Sequence, residues 1–304
     1  MSTQNDQERQ KLNDELLLVA LGITMADEEG RAPGINLMKL FVQTHGADIH
    51  HQRDGHTAAT ILAQGGYYKS LLALAEMDPT VLDYTVSEED SAPNLKMGDT
   101  PLLLLAKASR HRWRDDQSSN TIRITNKVEA AYAAQGVVEV ANAYPETLHQ
   151  KTRQGTTAAL FLVDANWFKE AWKIAKLHPE VLRHQAMFGD SVALLLSASP
   201  GGHKYLPSLV AKEPSVLKHE TDFERQTIGM MLAQWENYKV LGEVADMDDE
   251  LFTRRNKKGD TVLSYTRIYF GWRRARRVAK LMRKKGIDKA TINACKQRVR
   301  PKQS

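Results

Sequence analysis

Four histidines near the start of the chain are the first residues whose chemistry could serve a metal ion. They are His45, His50, His51 and His56, and a neutral imidazole nitrogen is a common zinc ligand. No cysteine lies near them, and their spacing does not place them on one face of a helix. We therefore interpret them as surface residues of a turn and predict no metal site.

The remaining reactive side chains lack the partners that catalysis would require. Cys295 is the single cysteine and lies in a basic segment, where neighbouring cations would lower the pKa of its thiol, but no histidine stands beside it. The acids between Asp246 and Glu250 lack the glycine of a calcium-binding loop. The sequence has no Gly-x-x-x-x-Gly-Lys-Ser/Thr loop, no Cys-x-x-Cys pair and no His-Glu-x-x-His helix. We therefore predict no catalytic residue, no cofactor and no enzymatic activity.

A recurring motif organises most of the chain. It begins with Gly-x-Thr or Gly-x-Ser, continues through an apolar stretch and ends with Pro-x-x-Leu. It opens at Gly55, Gly98, Gly155, Gly189, Arg225 (in place of glycine) and Gly259, and it closes at Pro79, Pro145, Pro179, Pro214 and, without proline, Asp248. From Gly155 onward, successive openings are 34, 36 and 34 residues apart. A repeat of this length is typical of a stacked solenoid, which binds partners along an extended surface more often than it catalyses.

One repeat carries an insertion. Gly98 and Gly155 are 57 residues apart, well above the usual spacing. The interval from Gly98 to Pro145 is 47 residues, whereas the corresponding interval in two other repeats is 24. Both comparisons give an excess of 23 residues, and the apolar pattern is interrupted near residues 107–126. Insertions in repeat proteins form loops on one face, often the face that binds partners.

Each repeat is predicted to form two short helices. Thr157 is the predicted N-cap of a helix over 158–164, and a second helix over 167–177 ends before Pro179. In the preceding repeat, Thr100-Pro101 combines a capping hydroxyl with a first-turn proline. Helices this short are not stable alone in water, so their stability must come from packing against neighbouring repeats.

With these motifs the sequence resembles the ankyrin repeat family. Gly46-Ala47-Asp48-Ile49, followed by Asp54-Gly55-His56-Thr57-Ala58, is similar to the family's consensus, and Met97-Gly98-Asp99-Thr100-Pro101-Leu102 is the next good match. The resemblance covers about residues 34–286 and is closest in the first two repeats. It implies an all-α fold, an ankyrin-type solenoid of stacked helix-turn-helix repeats with an N-terminal helical cap and a basic C-terminal repeat and tail.

The chain departs from the family at one position of each repeat. Where the family has the histidine of Thr-Pro-Leu-His, this sequence has Thr60, Leu103, Leu160, Leu194, Met230 and Ser264. The hydrogen bonds that this histidine makes between repeats are therefore missing. Apolar contacts must replace them, and we expect the three leucines to be buried between stacked units.

The expected organisation has three parts. Residues 1–53 form an N-terminal cap and a degenerate first repeat, residues 54–286 form the repeat array with its insertion near 107–126, and residues 287–304 form a basic tail. Within the cap, helices over 12–25 and 35–44 are joined by an exposed loop at 27–34.

The sequence also bears on location. The apolar run Leu16–Leu21 is too short to cross a membrane and acids precede it, so neither a signal peptide nor a transmembrane helix is predicted. One cysteine excludes a disulfide within the chain and suits a reducing compartment. We expect a cytoplasmic protein, with delivery into a host cell as an open alternative.

Charge is unevenly distributed along the chain. Residues 253–304 contain 18 Lys and Arg and two acids, whereas residues 1–252 contain 24 basic and 35 acidic residues, which gives net charges of +16 and −11. A basic terminal region suggests an acidic protein surface, a nucleic acid or an anionic lipid as partner. The alternative is a terminal repeat whose outer face is simply kept polar by its bases.

The resemblance implies that partners dock on a concave face formed by turn tips and first-helix side chains. The expected partner-binding residues are Arg110, Arg112, Trp113 and Arg114 on the inserted loop, Arg153, Arg225, Arg254 and Arg255 on turn tips, Trp235 and Tyr269 on first helices, and Arg273, Arg274, Arg276 and Arg277 on the last helix. Aromatic residues and arginines contribute disproportionately to binding energy.

Three functions remain open at this point. We expect a non-enzymatic adaptor, inhibitor or effector whose protein partner offers acidic and apolar patches. The first alternative is binding of nucleic acid or an anionic surface through the basic C-terminal region, which steep salt dependence would reveal. The second is an enzyme, or the targeting subunit of one.

Overall fold

The computed structural model of the protein is helical throughout. It describes residues 2–25, 28–87, 95–110, 127–223, 225–248 and 250–297, and these form fifteen α-helices and five 3-10 helices without a β-strand. The all-α prediction is thus confirmed for the described part of the chain. Most of the expected insertion, residues 111–126, and the end of the expected tail, residues 298–304, lie outside the described residues.

The α-helices follow one another at short intervals. They are α1 (Ser2–Met25), α2 (Glu28–Gln43), α3 (Ala58–Gln64), α4 (Tyr68–Met77), α5 (Pro101–Ala108), α6 (Lys127–Ala143), α7 (Ala158–Asp164), α8 (Phe168–Leu177), α9 (Val192–Ala198), α10 (Leu206–Val210), α11 (Ile228–Gln234), α12 (Tyr238–Ala245), α13 (Val262–Phe270), α14 (Trp272–Lys284) and α15 (Lys289–Cys295). None of the helices in the described ranges combines the length and the apolar composition needed to cross a bilayer.

The proline that closes the repeated motif starts a turn of 3-10 helix in four repeats. These turns are Pro79–Leu82, Pro145–His149, Pro179–Arg183 and Pro214–Lys218, and a fifth 3-10 helix, His203–Tyr205, precedes α10. Proline suits the first position of a helix because its φ is already helical and its missing N–H would have no helical partner there. The leucine three residues later is at most 1% exposed in all four turns, so the motif anchors each repeat in the core.

The hydroxyl residue that opens the motif caps the first helix in five repeats. The capping residues are Thr57, Thr157, Ser191, Thr227 and Thr261. Each side-chain oxygen accepts a hydrogen bond from the backbone N–H three residues later, and the bond from Thr60 N to Thr57 Oγ1 measures 3.2 Å. These bonds satisfy backbone donors that the N-terminus of a helix leaves unpaired.

Helix α5 departs from the prediction at both ends. It begins at Pro101, but the Thr100 hydroxyl donates to Gln150 Oε1 at 2.6 Å and makes no capping bond. At its other end the helix continues through Ala108, past the residue where the insertion was expected to begin. Lys107 lies within the helix and forms an ion pair with the buried Asp99. Lys107 interrupts the apolar pattern because its ammonium group neutralises Asp99, not because the helix ends.

The N-terminal helices are longer than the sequence indicated. Helix α1 already starts at Ser2, and α2 starts at Glu28, so the expectation of a loop at 27–34 was wrong from residue 28 onward. Pro33 lies inside α2 as its sixth residue. A proline so close to the N-terminus removes few backbone hydrogen bonds, because the first four N–H groups of any helix have no helical partner.

The chain divides into two compact units, residues 1–170 and 171–304. In the first unit, α1, α3, α5 and α7 pack in succession, and α2, α4 and α6 form a second layer. In the second unit, α9, α11 and α13 form one layer, and α10, α12 and α14 form the other. Within each unit, the first helices of successive repeats therefore pack on one another, and so do the second helices.

The six positions that correspond to the family's histidine are buried. Thr60, Leu103, Leu160, Leu194, Met230 and Ser264 are each at most 2% exposed. The burial predicted for the three leucines is therefore confirmed. The two hydroxyl residues satisfy their side chains locally, because each accepts the backbone N–H of the capping threonine at 2.9 Å.

The segment expected as a C-terminal tail contains a packed helix. Helix α15 occupies residues 289–295 of it and contacts both α13 and α14. The Thr261 hydroxyl donates to the carbonyl oxygen of Cys295 at 2.6 Å. The folded part of the chain therefore extends past residue 286.

Candidate partner-binding surface

Three tight turns of the second unit precede its first helices, and together we call them the tip row: residues 186–190, residues 221–223 with 225–226, and residues 256–260. Backbone hydrogen bonds close the outer two, from Gly189 N to Ala186 O and from Gly259 N to Asn256 O, both at 2.8 Å. Gly189 and Gly259 have φ values of 77° and 79°, and Arg225 adopts the same left-handed conformation with a φ of 55°. Each turn thus contains one residue in the left-handed conformation, and the middle turn is one residue longer, closed by the hydrogen bond from Arg225 N to Thr221 O at 3.1 Å.

Hydrogen bonds join each turn of the tip row to the next. The backbone N–H of Asp222 donates to the carbonyl oxygen of Phe188 at 2.9 Å. The side-chain amide of Asn256 donates to the carbonyl oxygen of Arg225 at 2.6 Å. Because these bonds link neighbouring turns, the tip row forms one connected surface rather than three separate loops.

Gly189 permits the closest approach within the tip row. A Cβ atom at this position would lie 2.6 Å from the carbonyl oxygen of Glu220 and 2.7 Å from the backbone nitrogen of Asp222. Both atoms belong to the backbone of the next turn, which cannot move aside as a flexible side chain would. Glycine is therefore required here for its missing side chain as well as for its positive φ.

Three large apolar side chains stand on the first two turns of the tip row. Met187, Phe188 and Phe223 are 64%, 62% and 89% exposed, and we call them the apolar patch. Single exposed apolar residues are ordinary, but neighbours on linked turns are typical of binding surfaces. The sequence pattern did not single out these residues. A signal was available, because an aromatic residue directly before a turn glycine, such as Phe188, has little chance to reach the core.

The third turn of the tip row is basic. Lys257 and Lys258 are exposed, and the structure shows no ion pair for their ammonium groups within the described residues. The backbone N–H of Lys257 donates to Glu220 Oε2 at 3.1 Å, which holds this turn against the preceding one. The tip row therefore changes from apolar to cationic along its length.

Several arginines predicted to bind a partner are instead held within the chain. Arg110 forms an ion pair with Asp164, and its guanidinium lies 4.7 Å from the ring centroid of Phe161. Arg254 pairs with Asp248 at 2.7 Å. Such contacts leave these side chains little freedom to turn toward a partner.

Arg255 has a structural role of a different kind. Its guanidinium donates to the carbonyl oxygens of Gly259 and Gln297, both at 2.8 Å, and to that of Ala294 at 3.3 Å. The last two belong to the end of α15 and the residues that follow it. Arg255 therefore fastens the C-terminal helix to the third turn of the tip row.

Two arginines of the basic helix α14 also bind other parts of the chain. Arg274 donates to the carbonyl oxygen of Gln234 at 2.8 Å and pairs with Glu236 at 3.0 Å. Arg277 forms an ion pair with the same carboxylate. These contacts attach α14 to the turn between α11 and α12, where Trp235 is 51% exposed.

Other predicted partner-binding residues remain at the surface. Arg153, Arg273 and Arg276 are exposed, and Tyr269 is 48% exposed. Arg225 lies 3.4 Å from Asp222. The inserted-loop residues Arg112, Trp113 and Arg114 lie outside the described residues. Binding by all of these residues stays a prediction.

The histidines near the start of the chain contact separate neighbours. His50 Nε2 lies 2.9 Å from Asp78 Oδ2, and His51 Nε2 lies 3.1 Å from Asp14 Oδ1. Hydrogen bonds from Thr80 and His50 lower the pKa of Asp78 to about 2, and the bond from Thr80 has the larger effect. Burial lowers the pKa of His56. Within the described residues, no group of three metal-binding side chains comes together.

The thiol of Cys295 differs from its expected state. The side chain is buried, and this burial raises the pKa of the thiol, which outweighs the opposite effect of Arg255. A neighbouring cation does act to lower this pKa, as expected, but its effect is the smaller one. The reason is that α15 packs into the fold, so that desolvation of the thiolate dominates.

Comparison with known proteins does not assign the chain to a family. No protein-family model matches the chain, and no curated protein matches it.

Proposed function

We propose that this chain is a divergent ankyrin-type repeat protein that binds a protein partner and does no catalysis itself. The regular turns with positive φ, the capped first helices and the layered packing within each unit support the family assignment. A solenoid built from these units offers an extended surface rather than a closed pocket. We place its activity in the cytoplasm, since one cysteine suits a reducing compartment.

The apolar patch carries the proposal. Covering a large apolar side chain stabilises a complex by about 1.5–3 kcal/mol, and Met187, Phe188 and Phe223 are all more than half exposed. Because hydrogen bonds already hold the tip row, a partner would not have to order it, which preserves more of this energy as affinity. The partner would present apolar side chains to the patch and carboxylates to Lys257 and Lys258. We assign it the role of adaptor, inhibitor or effector.

Quantitative affinity capture tests this function. The full chain is immobilised, exposed to cell extract and compared with the triple variant Met187→Ser/Phe188→Ser/Phe223→Ser by mass spectrometry. Leu177→Ser is the matched control, because Leu177 is an apolar residue of the same unit with 60% exposure. Proteins enriched by the wild type and the control, but lost by the triple variant, are the expected result. Equal recovery by all three baits would contradict the proposal.

A further inference from the structure

Most bases of helix α14 fall into two sets, and Arg283 stands apart because its guanidinium donates to the carbonyl oxygen of Ala279 within the same helix at 3.4 Å. Arg274 and Arg277 pair with Glu236, and Lys285, just after the helix, pairs with Asp246. A second set consists of Arg273, Arg276, Lys280 and Lys284, which are exposed. None of these four has an ion pair within the described part of the chain. The first set fastens α14 to its neighbours, whereas the second remains available to a ligand.

The available bases form a stripe with an aromatic residue at one end. Trp272, Arg276, Lys280 and Lys284 follow one another at intervals of four residues, and Arg273 lies beside them. Four residues of α-helix span about 6 Å, so these side chains repeat at close to that distance along one side of the helix. Trp272 is 64% exposed. We call these five residues the basic stripe.

Within the described residues, the acids near the basic stripe already have partners, including Asp288, whose carboxylate accepts hydrogen bonds from Thr291. Helix α14 contains no acidic residue. On the facing helix α12 and its flanks, Glu236 and Asp246 are taken by the first set of bases, and Glu243 lies 3.9 Å from Lys239. A row of like charges without counterions in the protein is a site for an external polyanion.

The apolar side of α14 argues against a bilayer as this polyanion. Interfacial helices insert an exposed apolar face between lipid headgroups. In α14 that face consists of Ala275, Val278, Ala279 and Met282, and all four are buried within the protein. The helix can therefore offer a membrane only charge and one tryptophan.

Exposed aromatic residues favour a nucleic acid strand over an acidic protein. Trp272 begins the stripe, and Trp235 lies in the chain between Gln234 and Glu236, which bind Arg274 and Arg277 of α14. Proteins that bind single strands combine a track of bases with aromatic rings on which nucleobases stack. We propose that the basic stripe binds single-stranded nucleic acid, with phosphates along the four bases and nucleobases against Trp272. This activity uses α14 and not the apolar patch, so it goes beyond the proposed protein binding.

Fluorescence anisotropy with a labelled 15-nucleotide oligothymidine tests the proposal. For four phosphate contacts, the logarithm of the binding constant should fall with the logarithm of salt concentration with a slope of about −3. The variant Arg273→Gln/Arg276→Gln/Lys280→Gln/Lys284→Gln should lose most of the affinity and most of this slope. Trp272→Ala should weaken binding about tenfold. Circular dichroism and thermal denaturation confirm that each variant is folded.

Two controls make the result specific. Lys176→Gln/Lys204→Gln/Lys212→Gln/Lys218→Gln removes the same charge from exposed lysines of the same unit and should bind the strand like the wild type. The apolar-patch variant should also bind normally, so failure of the protein-binding proposal stays distinguishable. If the quadruple stripe variant and the quadruple lysine control bind the strand with equal affinity, the inference is overturned. Binding of phosphatidylserine vesicles or polyglutamate in preference to the strand, or the absence of strand binding at low salt, also overturns it.

Discussion

Arg225 occupies a position that glycine holds in the other openings of the motif. Its φ of 55° lies in the left-handed region, which costs an L-residue about 1–2 kcal/mol. Hydrogen bonds hold it there: its N–H donates to Thr221 O at 3.1 Å, and its carbonyl oxygen accepts from Asn256 at 2.6 Å. A residue other than glycine can thus hold the left-handed conformation when its own turn and the neighbouring turn supply hydrogen bonds to it.

Burial of Leu194 should be measurable by truncation. Leu194 is completely buried, so Leu194→Ala should destabilise the second unit by about 2–5 kcal/mol, since a cavity replaces lost contacts. Leu177→Ala makes the same chemical change at a residue with 60% exposure and should have little effect. Chemical denaturation monitored by circular dichroism compares the two. Similar midpoints for both variants would show that Leu194 does not pack as described.

Asp190 should destabilise the second unit at neutral pH and not in acid. Burial, and then repulsion by Asp222, raise the pKa of Asp190. The folded state therefore holds this proton more tightly than the unfolded state, and its stability falls as pH rises through the raised pKa. Asp190→Asn should thus raise the melting temperature at pH 7, and this gain should vanish at about pH 3. Asp83→Asn, at an exposed acid, is the control. A lower melting temperature for Asp190→Asn at pH 7 would contradict the assignment.

The turns of the tip row depend on one another as elements. Gly189→Ala places a methyl group against the backbone of the next turn, whereas Gly201→Ala meets no atom within 4 Å although its φ is 87°. Both variants carry the conformational penalty of about 1–2 kcal/mol, so any additional loss at Gly189 measures the contact between turns. Thermal denaturation should show a clearly larger destabilisation for Gly189→Ala. Equal losses would mean that the turns are independent.

Local chemistry explains which elements the sequence could predict. The Thr157 cap and the Pro179 turn follow from neighbours in the chain, and both lie where expected. The start of α2 was not predictable in this way, because a proline near a helix N-terminus looks the same as a proline in a loop. The sequence also could not show which arginines form ion pairs within the chain. Arg277 and Glu236 are 41 residues apart, and only the packed structure shows that they meet.

Most of the positive charge and the apolar patch lie in different stretches of the sequence. The last 52 residues carry a net charge of +16 and the rest −11, while the apolar patch lies at residues 187–223. Charges of this kind act mainly on association, whereas desolvated apolar anchors act mainly on dissociation. The two features should therefore control different steps of protein binding.

Binding kinetics with a captured protein partner test this separation. Neutralising the basic stripe should slow association severalfold at low salt and leave the dissociation rate unchanged. Phe223→Ser should instead speed dissociation, because a side chain with 89% exposure in the free protein would be covered in the complex. Surface plasmon resonance at two salt concentrations separates the two rates. A stripe variant that changed only dissociation would place the stripe inside the protein interface.

The attachment of α15 by Arg255 constrains how this chain can vary. The guanidinium donates hydrogen bonds to the backbone carbonyl oxygens of residues 294 and 297, and every amino acid has the same backbone carbonyl. Side chains at these two positions can therefore drift through substitution without loosening the helix. A single-residue insertion or deletion between Arg255 and α15 would move these carbonyl oxygens away from the guanidinium of Arg255. Selection at this end of the protein should thus act on chain length more strongly than on residue identity.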